Sequence, residues 1–240
     1  LARLNDHHGS IEGPFKILNP DLLTIYDTNI KQHIDHINSK RTRPILLKPF
    51  QYLAALFTEV FLDHRAKDPE LWLDILNSCV DELNRGKQGF YIKYDEEDLD
   101  KLCFWMATGS GKTIIMHLNY LQYLYYAKET GKQIKNVLLL TPNEDLCNQH
   151  IRFLNESNLH GMLVSRTSSR LLLRDKDLIS IKTLPFSRLV DKESRTKAAK
   201  SEGTTVDFRA FGKNNLILVD EGHRGSKGET WFEMRKNVAN

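Results

Sequence analysis

The residues best suited to chemistry begin with a glycine-rich stretch, A-T-G-S-G-K-T, over residues 107–113. An apolar run over 102–106 precedes it and a helical pattern follows it, which is the strand, turn and helix order of a phosphate-binding loop. Glycines let the backbone turn its N–H groups toward a polyphosphate, and a helix N-terminus adds positive potential. The Lys112 ammonium could reach the β- and γ-phosphates, and the Thr113 hydroxyl could bind Mg²⁺. The residues predicted to hold a nucleotide here are Thr108, Gly109, Ser110, Gly111, Lys112 and Thr113.

A pair of acids, Asp220 and Glu221, follows the apolar run over 215–219. Such a run predicts a buried strand of a parallel sheet, and open α/β sheets bind ligands at the carboxyl ends of their strands. Asp220 could hold the Mg²⁺ of the nucleotide, and Glu221 could orient or deprotonate an attacking water. His223 could relay the state of the nucleotide to other parts of the protein. We therefore predict one site for ATP hydrolysis, with these acids beside Lys112.

Together these stretches resemble superfamily 2 helicases and translocases, including the motor subunits of restriction enzymes. The glycine-rich stretch is similar to motif I of that superfamily, although Met106 stands where the general P-loop pattern has glycine. D-E-G-H over 220–223 resembles the D-E-A-H box, with glycine in place of alanine. N-V-L-L-L-T-P-N over 136–143 is similar to motif Ia, and I-S-I-K-T-L over 179–184 to the next strand. The resemblance implies that backbone and hydroxyl groups of Thr141, Pro142 and Asn143 contact the phosphates of a bound nucleic-acid strand, and that the Thr183 end of the next strand also faces the nucleic acid.

Gln51 lies near the start of a predicted helix that opens at Pro49. K-P-F-Q over 48–51 resembles the adenine-reading Q motif, which in restriction motors has arginine, proline, an aromatic residue and glutamine. A glutamine amide can accept a hydrogen bond from adenine N6 and donate one to N7. A surface glutamine on an amphipathic helix is the alternative, and the company of the other motifs favours adenine binding.

The resemblance implies an α/β fold, namely a three-layer RecA-like P-loop NTPase domain with a parallel sheet and a helical N-terminal extension. We expect the extension or linker to span residues 1–44 and the first RecA-like ATPase domain to span 45–240. Apolar spacing predicts helices over 21–38, from Pro49 to about residue 62, from Pro69 to about residue 85, and over 113–128. A helix after Asn143 carries Leu146, His150, Phe153 and Leu154 on one side. Strands are predicted over 90–94, 102–106, 136–141, 162–164, 178–184 and 215–219.

Composition bounds these interpretations only loosely. The 240 residues are 40% hydrophobic and 27% charged, as in ordinary globular proteins, and a net charge of +3 permits a nucleic-acid partner without arguing for one. Three cysteines within apolar patterns indicate reduced thiols in a cytoplasmic protein. No apolar run has membrane-spanning length, so we expect no membrane association. The first residue is leucine, which indicates a piece of a longer chain.

The favoured interpretation is the first motor domain of an ATP-dependent DNA translocase or helicase, the R subunit of a type I or type III restriction-modification enzyme. It implies ATP and Mg²⁺ as cofactors, double-stranded DNA as partner, and methyltransferase and specificity subunits as further partners. An RNA helicase of the same superfamily is one alternative, although its usual D-E-A-D tetrad would differ at positions 222 and 223. A P-loop kinase or ATPase that does not act on nucleic acid is another, and it would leave motif Ia and the tetrad unexplained.

Three features expected of a complete restriction motor are missing from these residues. There is no motif III after the acid pair and no second RecA-like domain to supply an arginine to the γ-phosphate, a contribution of about 10³ to 10⁵ in rate. We therefore expect the isolated chain to bind ATP weakly and to hydrolyse it poorly. No acidic residue stands two positions before a lysine, so the (D/E)-x-K signature of the parent endonuclease is expected elsewhere.

Overall fold

The computed structural model describes residues 20–85, 91–164, 180–190, 206–207 and 211–221. These residues cluster in two compact units. The first unit consists of the described residues within 1–33 and 47–115. The second unit consists of the described residues within 34–46 and 116–240. The first unit is helical, and the second contains a parallel sheet. The predicted division into 1–44 and 45–240 stays a prediction.

Proline opens each of the first three helices, which are α1 (Pro20–Asn38), α2 (Pro49–Lys67) and α3 (Pro69–Asn84). Proline suits the first position of a helix because its ring fixes φ near the helical value. Its lack of an N–H group costs nothing there, because an N–H at this position would have no partner within the helix. The Asp68 carboxylate caps α3 by accepting a hydrogen bond from the backbone N–H of Leu71. The helices predicted from periodicity are thus confirmed, and α2 ends at Lys67 rather than at about residue 62. None of the described helices is both long and apolar enough to cross a membrane.

Polar bonds to buried carboxylates join α1 to α2 within the first unit. The Tyr26 hydroxyl donates to Asp63 Oδ2 at 2.7 Å, and Asn29 Nδ2 donates to Glu59 Oε2 at 3.3 Å. Burial, together with the hydrogen bond to Asp63, raises the pKa of the Tyr26 hydroxyl well above its usual range. Specific hydrogen bonds therefore hold the two helices together.

The apolar run before the glycine-rich stretch is not a strand. Residues 91–94 and 101–106 contain no strand, so the predictions over 90–94 and 102–106 are wrong for the described residues. Leu102 is 45% exposed and Trp105 is 100% exposed, so the run is not buried either. A strand needs a neighbour to pair its backbone N–H and C=O groups, and apolar composition alone does not supply one.

The described residues of the second unit include six strands, namely β1 (Asn136–Thr141), β2 (Gly161–Leu163), β3 (Ile181–Pro185), β4 (Leu189–Val190), β5 (Val206–Asp207) and β6 (Asn215–Val219). The later helices are α4 (Lys112–Glu129) and α5 (Glu144–Glu156). Four of the strands form a parallel sheet in the spatial order β2-β3-β1-β6, and β4 pairs with β5 in a separate parallel pair. This parallel sheet with its helices confirms the predicted RecA-like α/β class, and the helical N-terminal region is also present.

Strand β1 lies at the centre of the core, and all six of its residues are buried. Its side chains alternate between two faces, as in any strand. On one face, Val137 and Leu139 pack with Tyr120 of α4, Leu154 of α5 and Ile181 of β3. The opposite face packs Leu138 and Leu140 against Leu184, Leu189, Val206 and Phe211. A continuous apolar run is therefore explained by a strand covered on both faces.

Candidate functional site

The glycine-rich stretch turns through two left-handed residues directly before α4. Gly109 has φ 75° and Gly111 has φ 90°, a backbone region that residues with a Cβ atom rarely adopt. The carbonyl of Gly111 accepts hydrogen bonds from the N–H groups of Ile114 at 3.0 Å and Ile115 at 3.2 Å. Because the first N–H groups of a helix have no intrahelical partner, the start of α4 offers donors at this loop.

Gln51 braces this loop from α2. Its Nε2 donates to the carbonyl oxygen of Ser110 at 2.7 Å, and its Oε1 accepts from the backbone N–H of Lys48 at 2.9 Å. A Cβ placed at Gly111 would overlap Gln51 Nε2, so the amide would have to shift to make room for any side chain at residue 111. Sequence reasoning missed this contact with the loop. Each amide atom keeps one further bonding position, so adenine binding by Gln51 stays a prediction.

The loop presents groups that suit a polyphosphate with its Mg²⁺. Ser110 Oγ is buried and has no hydrogen-bond partner in the part of the chain that the structure describes. Lys112 and Thr113 stand half-buried in the first turn of α4, and Thr108 is exposed at the turn before it. A hydroxyl, an ammonium and backbone N–H groups are the donors that phosphate oxygens require, while a threonine hydroxyl can bind the cation. The residues at this loop therefore fit the predicted nucleotide.

The T-P-N sequence forms the turn between β1 and α5. Asn143 caps α5, since its Oδ1 accepts from the backbone N–H of Leu146 at 2.9 Å. Thr141 Oγ1 donates to the carbonyl of Asn143 at 2.8 Å and lies 2.9 Å from Cys147 Sγ. Because the hydroxyl has one proton, the thiol must donate to it, and burial raises the pKa of Cys147 and keeps that thiol protonated. Thr141 thus holds the turn, while Asn143 is exposed and Pro142 is half-buried.

Thr183 is fully buried in β3. It pairs with Leu139 in the register of β1 and β3 and lies on the same face as Ile181. Its Oγ1 has no hydrogen-bond partner among the described residues. The hydroxyl therefore faces the interior of the protein. This burial argues against the nucleic-acid contact predicted for Thr183, which stays a prediction. The same holds for the buried side chain of Thr141.

The acid pair stands at the carboxyl end of β6, as predicted. The N–H of Asp220 donates to the carbonyl of Leu140 at 3.0 Å, so the pairing of β6 with β1 continues one residue beyond Val219. The acids and the T-P-N turn therefore occupy neighbouring strand ends at one edge of the sheet, where α/β folds bind ligands. Glu221 has φ 52°, which is uncommon for a residue other than glycine. His223 lies outside the described residues, and the pairing of the acids with Lys112 stays a prediction.

His150 contacts Asp220 across this edge. Its Nε2 lies 2.8 Å from Asp220 Oδ2, and the residue is only 3% exposed. An ionised carboxylate accepts but cannot donate, so Nε2 carries the proton of this hydrogen bond. Sequence reasoning placed His150 on the apolar side of α5 and gave it no function. A polar ring on an otherwise apolar helix face was the available signal.

A second buried histidine, His117 on α4, belongs to a separate polar cluster. His117 Nδ1 lies 2.9 Å from Ser157 Oγ, which accepts a hydrogen bond from Arg41 at 2.8 Å. Arg41 also lies 3.6 Å from a carboxylate oxygen of Glu156. Burial above all, with the nearby charges of His150 and Arg41, lowers the pKa of His117 to about 3. His117 is therefore neutral at physiological pH.

Acidification is expected to destabilise the folded chain through His117. The pKa of this ring is about 3 when folded and 6.5 in its unperturbed state. Below pH 6.5 the His117 ring is protonated in the unfolded chain but stays neutral in the folded chain. The free energy of unfolding therefore decreases as the pH falls from 6.5 toward 3. One such group lowers the free energy of unfolding by about 1.4 kcal/mol per pH unit within that range.

Urea denaturation at about pH 7 and about pH 5.5 tests this expectation. His117→Gln should show a smaller loss of stability between the two values than the wild type, because glutamine does not titrate. An equal loss in both proteins would contradict it.

Comparison with known proteins gives one family and no individual relative. The family model described as "Type III restriction enzyme, res subunit" matches residues 65–240, well over half of the chain. The match includes the glycine-rich stretch, the T-P-N turn and the acid pair. No curated protein and no solved structure matches the chain. The chain therefore belongs to the type III restriction enzyme res subunit family, a family of superfamily 2 helicase motor domains.

Proposed function

We propose that the chain is the first motor domain of an ATP-dependent translocase that moves on double-stranded DNA. In this proposal it is part of the R subunit of a type I or type III restriction-modification enzyme, and it works in the cytoplasm with methyltransferase and specificity subunits. Family membership supports an ATP-hydrolysing motor domain. One observation carries the proposal further: the T-P-N turn and the acid pair end adjacent strands, β1 and β6. A motor couples ATP hydrolysis to movement along nucleic acid. That coupling is direct when the residues that contact nucleic acid and the acid that acts in hydrolysis lie on neighbouring strands of one sheet.

Each residue of the proposed site has a role that its chemistry suits. Lys112 binds the β- and γ-phosphate oxygens, and the backbone N–H groups at the start of α4 bind the same phosphates. Thr113 and Asp220 hold Mg²⁺, which neutralises negative charge on the phosphate oxygens when it is bound. Glu221 accepts a proton from the water that it orients toward the γ-phosphate. His223 responds to the state of the nucleotide.

The exposed end of α5 is the proposed contact with the DNA backbone. Asn143 is exposed there, and the helix N-terminus favours a phosphate group. Glu144 and Asp145 in the first turn oppose that attraction, although Glu144 is paired with Arg188. Contacts of this kind position a duplex without reading its sequence, which suits a protein that moves over any sequence.

ATPase rates of the full-length protein, measured with duplex DNA, with RNA and with neither, test the proposal. We expect duplex DNA to raise the rate and expect Lys112→Ala to remove nearly all hydrolysis, with or without DNA. Lys128→Ala is the matched control, because this exposed lysine lies near the other end of the same helix and should leave the rate unchanged. Stimulation by RNA alone would favour an RNA helicase. Hydrolysis that responds to neither nucleic acid would favour an ATPase of another kind and contradict the proposal.

A further inference from the structure

We propose that His150 is a positioning residue for the nucleotide's metal ion, because it holds the carboxylate of Asp220 in the orientation that binds Mg²⁺. The inference rests on the proposed function, in which Asp220 is a metal ligand, and it assigns a role to a residue outside the recognised motifs.

Contacts on both its backbone and its side chain hold Asp220 in place. The N–H of Asp220 is held by the Leu140 carbonyl at 3.0 Å, which places the Cα atom at the end of the sheet. His150 Nε2 then donates to Oδ2 at 2.8 Å, which limits rotation of the carboxyl group. Asp220 is only 16% exposed in its side chain and His150 only 4%, so water competes weakly for this hydrogen bond.

Apolar packing alone does not explain a histidine at position 150, because burying a polar ring has a desolvation cost. Its α5 neighbours Cys147 and Leu154 are buried, and a leucine at position 150 would bury the same face without a polar ring. His150 Nδ1 has no hydrogen-bond partner within the described ranges, so the ring is buried with half of its polar capacity unused. The bond to Asp220 is the contact that explains a histidine here. Partners that orient a metal-binding carboxylate or imidazole typically change metal affinity by about 10 to 100-fold when they are removed.

The location of His150 also gives the acid a rigid support. His150 lies seven residues after the cap Asn143 on α5, about 10 Å along the helix axis. The carboxylate is thus fixed against the same helix whose N-terminus forms the proposed DNA contact. A rigid helix holds a side chain more accurately than a loop would.

Binding of Mn²⁺, a spectroscopic substitute for Mg²⁺, tests the inference without relying on hydrolysis. Electron paramagnetic resonance of the full-length protein with a non-hydrolysable ATP analogue gives the Mn²⁺ affinity directly. His150→Ala should weaken that affinity by about 10 to 100-fold. His150→Gln should restore most of it, because the glutamine Nε2 can donate from nearly the same position. His117→Gln is the control, since it alters the other buried histidine, which bonds to Ser157 rather than to Asp220.

The outcomes separate this inference from the proposed function. Wild-type Mn²⁺ affinity in a folded His150→Ala protein would overturn the inference and leave the proposed function standing. Equal losses in the His117→Gln and His150→Ala proteins would also overturn it, because they would reflect the packing of buried rings. If His150→Ala does not fold, His150→Asn replaces it, and equal affinities of the Asn and Gln proteins would count against the inference. Absence of nucleotide-dependent Mn²⁺ binding in the wild type would overturn the proposed function, and the inference with it.

Discussion

Replacing Glu221 with glutamine is expected to slow ATP hydrolysis by about 10² to 10⁴-fold, the range typical of a lost general base. The amide keeps the shape of the side chain but cannot take the proton of the attacking water. Asp220 and its bond to His150 are unchanged by the substitution, so binding of ATP with Mg²⁺ should persist. The left-handed backbone at residue 221 is retained, because both residues meet the same cost there.

Single-turnover hydrolysis and equilibrium ATP binding, both on the full-length protein, measure these two effects separately. Glu129→Gln is the matched control, because it makes the same chemical change at the exposed last residue of α4. A Glu221→Gln protein that hydrolyses ATP within a few-fold of the wild type would remove Glu221 from the reaction. Loss of binding together with hydrolysis would assign it a role in holding the nucleotide instead.

Gly111→Ala is expected to weaken ATP binding strongly and to cost about 1 to 3 kcal/mol of stability. Gly111 has φ 90°, where an alanine is strained whatever space surrounds it. Its new Cβ would also overlap Gln51 Nε2, so the amide would have to shift, and we expect its hydrogen bond to the Ser110 carbonyl to be weakened or lost. The loop would then lose both its turn and its brace, and its N–H groups would no longer converge on the phosphates.

Gly109→Ala is the internal control for this prediction. Gly109 has φ 75°, yet nothing lies within 4 Å of a Cβ placed there. Gly109→Ala should therefore show the backbone strain alone. Adding Gln51→Ala should relieve part of the defect of Gly111→Ala and none of the defect of Gly109→Ala. Urea denaturation and fluorescent nucleotide binding of the single and double variants give both coupling energies. Equal coupling at the two glycines would show that the close approach of Gln51 has no consequence.

The amino-acid sequence by itself determined the family, the fold class and most of the regular elements. The motif I and motif Ia resemblances are local patterns, and the family match confirms the superfamily 2 membership that they indicate. Helices α1, α3 and α4 lie within a few residues of their predicted bounds because apolar residues recur at helical spacing along each of them. Strands β1 and β6 also lie close to their predicted bounds, since each is a short continuous apolar run that ends at polar residues. The run over 102–106 was ambiguous, since a strand depends on a partner as well as on its own residues.

Only the tertiary structure decided which polar groups meet. Gln51 and Ser110 are 59 positions apart in the chain, and His150 and Asp220 are 70 apart. Periodicity assigns a residue to a helix face or a strand face, but it contains no information about the polar atom that lies opposite. That pairing depends on the register of β1 with β6 and on how α5 packs over the sheet. The fold thereby buries Thr183, predicted to face nucleic acid, and brings His150 onto the acid that we propose binds the metal.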